Sequence, residues 1–312
     1  MTARSIAPTP VRGTPVRYVA GVDGGGTGTR ARLQDAAGHT LGEGAAGASN
    51  LGQGIEQAWR HVQQALVAAF DNAGLPRVPP ADIALGLGLA GAGVLTRRAA
   101  FLQADPGFAL CVLENDGVTQ LLGAHAGAPG LVVAAGTGSV AAACDADGRM
   151  RQVGGWGFPV GDEGSGAWLG LRAMAHAQAV LDGRDAASGL SQSLFDEAGS
   201  DSPALLAFCA TAGAPAYARL APRVFAAAET GCSTAKALLQ AAADELLRLV
   251  STLQAGHPPL PVVASGNIGR RLAALWPEAV RERLREPAGD SADGALRLVR
   301  AALARDAARA GA

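Results

Sequence analysis

Two short glycine-rich stretches carry the residue types best suited to chemistry. Residues 23–30 read DGGGTGTR and residues 134–139 read AAGTGS. In such turns backbone N–H groups can converge on an anion, and the missing side chains let phosphate oxygens approach. Thr27, Thr29, Thr137 and Ser139 add hydroxyl donors. Asp23 stands at a strand end just before the first turn. A carboxylate there repels phosphate unless a Mg2+ ion bridges the two, so Asp23 is a metal-positioning candidate. Asp116 follows an apolar stretch ending at Leu113 and starts a helix, at the sheet edge where open α/β folds bind ligands. Either Asn115 or Asp116 caps that helix, or Asp116 is a base that accepts a hydroxyl proton during phosphoryl transfer. Asp162 and Glu163 lie in the loop GGWGFPVGDEGSG at 154–166. They are solvated turn residues or receptors for the hydroxyls of a polar ligand.

Competing motifs fail on spacing. No G-x-x-x-x-G-K-[ST] is present, and the single lysine, Lys236, sits in a helical stretch, so Walker-type phosphate binding is excluded. Gly136 to Ala141 matches G-x-G-x-x-A after a strand, yet a hairpin follows instead of a helix, and position 156 is Trp where a ribose-binding acid is needed. The five histidines show no metal-binding spacing and read as structural or surface residues. Trp59, Trp168 and Trp276 fit helix faces as core, whereas Trp156 within the glycine loop borders a possible ligand.

The elements that hold these residues repeat. Tyr18–Val22, Ala31–Gln34 and Thr40–Ala46 read as strands around the first glycine turn, and Leu131–Ala135, Val140–Cys144 and Met150–Gly154 as strands around the second. Asp147-Gly148 is a hairpin signal in the second set. Helical spacing covers Ile55–Ala73, Thr96–Ala104 and Asp293–Arg309, with Ser233–Gln254 the longest stretch and Ser233 as its expected cap. Ile83–Leu89, Phe108–Leu113 and Leu260–Ser265 read as further strands, and Gly266-Asn267 opens another helix. This is a duplicated α/β domain with a cleft between the halves. The boundaries expected are a loose tail over 1–16, an N-terminal domain over 17–127 completed by the helix at 293–312, and a C-terminal domain over 128–292.

Composition bounds the partners. The chain has 312 residues, 49% of them hydrophobic, with 26 basic against 27 acidic residues and a net charge of −1. That is enough apolar material for two packed cores and no basic excess for a nucleic acid. No apolar run approaches the ~18 residues of a membrane span. Four scattered cysteines form neither a disulfide framework nor a zinc cluster, which predicts a reduced, cytoplasmic protein. The 43 glycines exceed the usual ~7% about twofold.

Taken together, DGGGTGTR, GASN at 47–50, LGLAGAG at 87–93, LENDGVTQLLGAHAG at 113–127, AAGTGS, GGWGFPVGDEGSGAWLG at 154–170, ASGNIG at 264–269 and DSADGAL at 290–296 resemble the BadF/BadG/BcrA/BcrD-type ATPase family of the actin/hexokinase/Hsp70 superfold. Within it the likeness is to bacterial glucosamine and N-acetylglucosamine kinases. The resemblance implies two ribonuclease-H-like, actin-like ATPase domains closing over ATP, Mg2+ and an amino sugar, commonly as a homodimer. It implies that Asp23, Gly25, Gly26, Thr27 and Thr29 form a first phosphate loop, and Gly136, Thr137, Gly138 and Ser139 a second. Gly266 and Asn267 match the adenosine turn, and Asp116 the catalytic base. Asn50, Gly155, Asp162, Glu163, Thr137 and Gly166, with Asp116, match sugar contacts. Gly166 stands where N-acetylglucosamine kinases often carry an alanine facing the acetamide methyl, and Ala90 where they often carry serine; both favour glucosamine. Dehydratase activators of the same family use a D-x-G-G-Q-D second loop and cluster-ligating cysteines. This chain has AAGTGS there, which leaves Cys144 as a buried hairpin residue. An activator-type ATPase and a catalytically silent sugar sensor are the alternatives.

Overall fold

The computed structural model describes residues 16–310; the expected tail at 1–16 lies outside them but for its last residue. The chain divides into two compact units, Met1–Pro129 with Glu286–Ala312, and Gly130–Arg285. The second unit therefore ends at Arg285, where the sequence places the boundary at 292.

In the first unit, β1 (Tyr18–Gly24), β2 (Thr29–Asp35) and β3 (Thr40–Ala46) form an antiparallel meander. Helix α1 (Ile55–Asn72) leads to β4 (Ile83–Leu89), which lies parallel to β1; helix α2 (Leu95–Gln103) leads to β5 (Leu110–Glu114), parallel to β4. The sheet order is β3-β2-β1-β4-β5. Its two faces differ in kind. On one, Val22, Leu33, Leu85 and Leu87 pack against Val62, Leu66 and Phe101 of α1 and α2, and Trp59 stacks on Phe101 with ring centroids 4.1 Å apart. The other face is lined by glycines. There α3 (Asp116–Ala124) and the final helix, Ser291–Ala310, approach the strands at backbone distance. A Cβ built on Gly86 would lie 2.0 Å from Ala295 O, and one on Gly21 2.3 Å from Ala292 O. The two helices meet through Gly123 and Gly294, where a Cβ on Gly294 would lie 1.7 Å from Thr119 O. Much of the glycine surplus thus serves packing: it admits helices too close for side chains.

The second unit repeats the meander with β6 (Gly130–Ala135), β7 (Ser139–Cys144) and β8 (Met150–Gly154). Six helices follow: α4 (Gly166–Leu181), α5 (Gly189–Ala198), α6 (Ser202–Thr211), α7 (Ala214–Ala218), α8 (Ala221–Glu229) and α9 (Ser233–Gln254). Then come β9 (Val262–Ser265), parallel to β6, α10 (Gly266–Ala273) and α11 (Glu278–Arg281), while the final helix of the first unit becomes α12. The order β8-β7-β6-β9 repeats β3-β2-β1-β4 of the first sheet. The fifth strand is reduced to one parallel bridge, Val262 to Leu284. Trp168 and Trp276 are buried in the core between this sheet and its helices. Trp276 follows α10 and is not on a helix face; its indole N–H donates to Ala243 O. Ser233 does not cap α9: it is the first helical residue, and Cys232 takes the cap position. Cys144 is buried at the end of β7. Among the described residues no helix is long and apolar enough to cross a membrane.

Candidate active site

Each glycine turn is the connection of a hairpin. In the first, Gly24 pairs with Thr29 and Gly25 N–H donates to Gly28 O at 2.9 Å, leaving Gly26 and Thr27 at the tip. The amides of Ser49 and Asn50 both donate to Gly25 O at 3.1 Å. In the second, Ala135 pairs with Ser139, and Gly136 N–H donates to Gly138 O at 2.9 Å around Thr137. Here Gly166 N–H donates to Gly136 O at 2.8 Å and Ala167 N–H to Thr137 O at 3.1 Å. Turn carbonyls are thus committed to protein in both units. Cβ atoms added at Gly25 or Gly136 would meet nothing within 4 Å. Carbonyls tied back and an open side without side chains make a cradle that fits a phosphate chain.

At the same sheet edge of the second unit, β9 runs into α10 through Gly266, whose φ is +75°. A Cβ there would lie 2.2 Å from Ala135 O, so no side chain fits. Ser265 Oγ next to it is buried without a hydrogen-bond partner, and Asn267 is exposed. An orphaned hydroxyl beside a bare turn fits a polar ligand such as the ribose or base of a nucleotide.

The carboxylates gather in the first unit. Asn115 Oδ1 accepts Val118 N–H at 2.9 Å and so caps α3. That leaves Asp116, the first residue of the helix, exposed as a residue but with its carboxyl partly desolvated and bonded by Gly117 N–H at 3.1 Å and by its own backbone N–H. Asp23 at the end of β1 accepts a hydrogen bond from the Ser291 hydroxyl and feels the charges of Asp116, Arg30 and Asp290. Desolvation raises the pKa of Asp23, with the neighbouring Asp116 adding to it, and desolvation likewise raises that of Asp116. Asp290 moves the other way: burial opposes its ionisation, but the Asp293 N–H and the Arg32 guanidinium outweigh it. A carboxylate with two others in range fits a divalent cation. Among the described residues no cluster of three or more His, Cys, Asp or Glu side chains could cage one. Mg2+ commonly keeps its waters and binds through one or two carboxylates together with phosphates.

The loop 154–166 is pinned in place. Gly154, Gly155, Gly157 and Gly164 all have positive φ, which suits glycine, and Asp162 sits at φ +60° without that freedom. The Asp162 carboxylate accepts Ser139 N–H at 3.3 Å and the amides of Gly157 and Phe158. Burial still raises its pKa above the ordinary carboxylate value. Trp156 at the loop's tip is 86% exposed. Asn50 spends Oδ1 on Gly52 N–H at 2.7 Å.

Three sequence expectations change. Thr29 and Ser139 are not hydroxyl donors to a phosphate. Thr29 is 1% exposed, and its hydroxyl lies 2.6 Å from Gly47 O and 2.7 Å from Ser49 Oγ. Ser139 is 5% exposed and donates to Glu163 O at 2.7 Å. Both begin a strand whose alternate residues face the core, whereas Thr27 and Thr137 stand exposed at the tips. Gly166 does not aim outward either: a Cβ there would point at Gly136 O, 3.0 Å away, and at Ala218. The sequence reading gave no site role to Ser49, Thr119, Asp290 or Ser291. Their signal lay in the GASN, LENDGVTQLLGAHAG and DSADGAL blocks, which carry polar residues at or near the starts of ordinary-looking elements.

A model of the BadF/BadG/BcrA/BcrD ATPase family matches residues 20–291. The glucosamine kinase GspK of Vibrio cholerae is 33% identical over 282 residues, 90% of this chain and 95% of that protein. A crystal structure from Chromobacterium violaceum, provisionally named an N-acetylglucosamine kinase, is 45% identical with a TM-score of 0.86, covering 91% of this chain and 99% of its own. The ROK hexokinase of Thermus thermophilus shares the fold at 18% identity and a TM-score of 0.52, covering 93% and 99%.

Proposed function

The chain belongs to the BadF/BadG/BcrA/BcrD ATPase family, and on that premise we propose that it is an ATP-dependent amino-sugar kinase, transferring the γ-phosphoryl group to the 6-hydroxyl of glucosamine or N-acetylglucosamine. The observation that carries this is Asp116. It heads a helix that Asn115 already caps, stands exposed as a residue, and shares its sheet edge with Asp23 and the first glycine turn. A carboxylate so placed is free to take the sugar's proton as the oxygen attacks phosphorus. In each unit the glycine turn offers its amides to phosphate, where they would stabilise the charge that develops during transfer. Asp23, steadied by Ser291 and with Asp290 beside it, would hold a hydrated Mg2+. When bound, that ion neutralises charge on the β- and γ-phosphates. Asn50 in the first unit, and Gly155, Asp162 and Glu163 in the second, are the residues assigned to the sugar. The names of the V. cholerae and C. violaceum relatives support the amino-sugar class.

The test is ADP release with ATP and Mg2+ over glucosamine, N-acetylglucosamine, glucose and no sugar, repeated with Asp116→Asn. Sugar-dependent release that falls by ~10²–10⁴ in the variant is expected, the usual scale for loss of a general base. Release that ignores the sugar identifies an activator-type ATPase, and near-normal turnover in Asp116→Asn removes the base assignment.

A further inference from the structure

We infer that Ser291, backed by Thr119, is a positioning residue that holds Asp23 and the helix carrying Asp116 in one fixed arrangement, so that the cation carboxylate and the base are placed together. This rests on the amino-sugar kinase reading and adds residues that act on that same site. All of them belong to the first unit.

Three elements meet at these hydroxyls. Asp23 lies near the end of β1, Thr119 three residues after Asp116 in α3, and Ser291 at the first position of α12. Thr119 and Ser291 are both buried, so their hydroxyls must find partners within the protein. Thr119 Oγ1 and Ser291 Oγ lie 2.7 Å apart, and Ser291 bonds Asp23. An ionised carboxylate only accepts, and a hydroxyl has one proton. The Ser291 proton therefore goes to Asp23 and the Thr119 proton to Ser291, which links β1 to α3 through α12. Thr119 Oγ1 also lies 3.1 Å from the carbonyl of Asp116 itself. Gly88 makes the room: it stands opposite Asp23 in the β1–β4 register, and a Cβ there would lie 1.9 Å from Thr119 Oγ1. Ser291 in turn has little freedom to move. Asp290 and Asp293 exchange backbone-to-carboxylate bonds of 3.0 Å on either side of it. Arg32 of β2 donates to both oxygens of Asp290 at 3.0 Å and also to Asp293, while Glu43 accepts its Nε–H at 2.7 Å. The anchored start of α12 thus presents one hydroxyl to Asp23 and to α3 at a set place. Without that hydroxyl Asp23 loses its donor, Thr119 loses its acceptor, and the link from β1 to α3 opens.

The experiment compares wild type, Ser291→Ala, Thr119→Val and Thr119→Ser by three measurements. They are kcat and KM for the sugar that wild type phosphorylates fastest, Kd for Mn2+ with saturating ADP by electron paramagnetic resonance of the free ion, and Kd for ADP in EDTA. Ser291→Ala should weaken Mn2+ binding and lower kcat by about 10–100-fold each, the usual cost of removing a group that orients a metal ligand. Its sugar KM and metal-free ADP affinity should stay at the wild-type values. Thr119→Val should move Mn2+ affinity and kcat in the same direction, and Thr119→Ser should restore both because it keeps the hydroxyl. A merely structural role would lower stability and shift all the constants together, and that result overturns the assignment. Should the buried variants not fold, Arg32→Lys decides, since lysine cannot grip Asp290 with two parallel bonds. It should loosen Mn2+ and lower kcat with metal-free ADP affinity unchanged, and wild-type values for both overturn the inference. Wild-type Mn2+ affinity and kcat in Ser291→Ala do the same and leave the kinase reading standing. Absence of sugar phosphorylation in wild type removes both.

Discussion

Asp116 carries opposed demands. Catalysis requires its carboxylate ionised, while desolvation favours the neutral acid and raises its pKa. The sign for stability follows. Below the ordinary carboxylate value of ~3.9 both folded and unfolded chains hold the proton, and the group costs nothing. As pH rises through the raised folded value, the native state must ionise a poorly solvated carboxyl, and stability is lost. Asp116→Asn should therefore melt higher than wild type at pH 7–8, with the gap closing towards pH 4, while its turnover collapses. A melting temperature lower than wild type at neutral pH would contradict this. On the acid side, kcat/KM should fall with an apparent pKa above the ordinary carboxylate value. The places of Asp23 at a strand end and Asp116 at a helix start were legible from residue type and position alone. The roles of Thr29 and Ser139 were misread, although strand alternation held the answer: Thr29 shares parity with the buried Ala31 and Leu33, and Ser139 with the buried Ala141 and Ala143. Asp290 and Ser291 stayed hidden because their approach to Asp23 spans most of the chain.

At the scale of elements, the strands and the paired glycine turns were readable because alternation and turn chemistry are local signals. The packing of α12 was not. In IALGLGL, glycines 86 and 88 alternate with Leu85, Leu87 and Leu89, so one face is bulky and the other bare. The sequence shows that bare face without showing that two helices use it. Their closeness is a matter of backbone atoms: Gly88 would drive a Cβ to 1.9 Å from Thr119 Oγ1, and Gly294 one to 1.7 Å from Thr119 O. Gly86→Ala and Gly294→Ala should each destabilise the fold by at least the ~1–3 kcal/mol of ordinary overpacking, since backbone has to move. Gly25→Ala, whose Cβ has open space, should leave stability nearly unchanged and weaken nucleotide binding instead. Chemical denaturation of the three variants separates these outcomes, and an unaltered midpoint for Gly294→Ala would refute the seam.

For the whole molecule, the duplication was visible as a repeated strand–turn–strand order, while the return of the chain to the first unit at Glu286 depends on contacts distant in sequence. The second unit interrupts the first, whose bare sheet face is covered by Leu296, Val299 and Ala302 of α12. A chain ending at Arg285 should keep a protease-resistant second unit and lose protection over residues 17–129; equal protection of both would show that α12 is dispensable. The same interruption separates the order of translation from the order of completion. At about 5–20 residues per second, a ribosome finishes the second unit while the first still lacks its last helix. For those seconds the nascent chain shows an uncovered β-surface to whatever surrounds it, and the half carrying Asp23 and Asp116 is the last to mature.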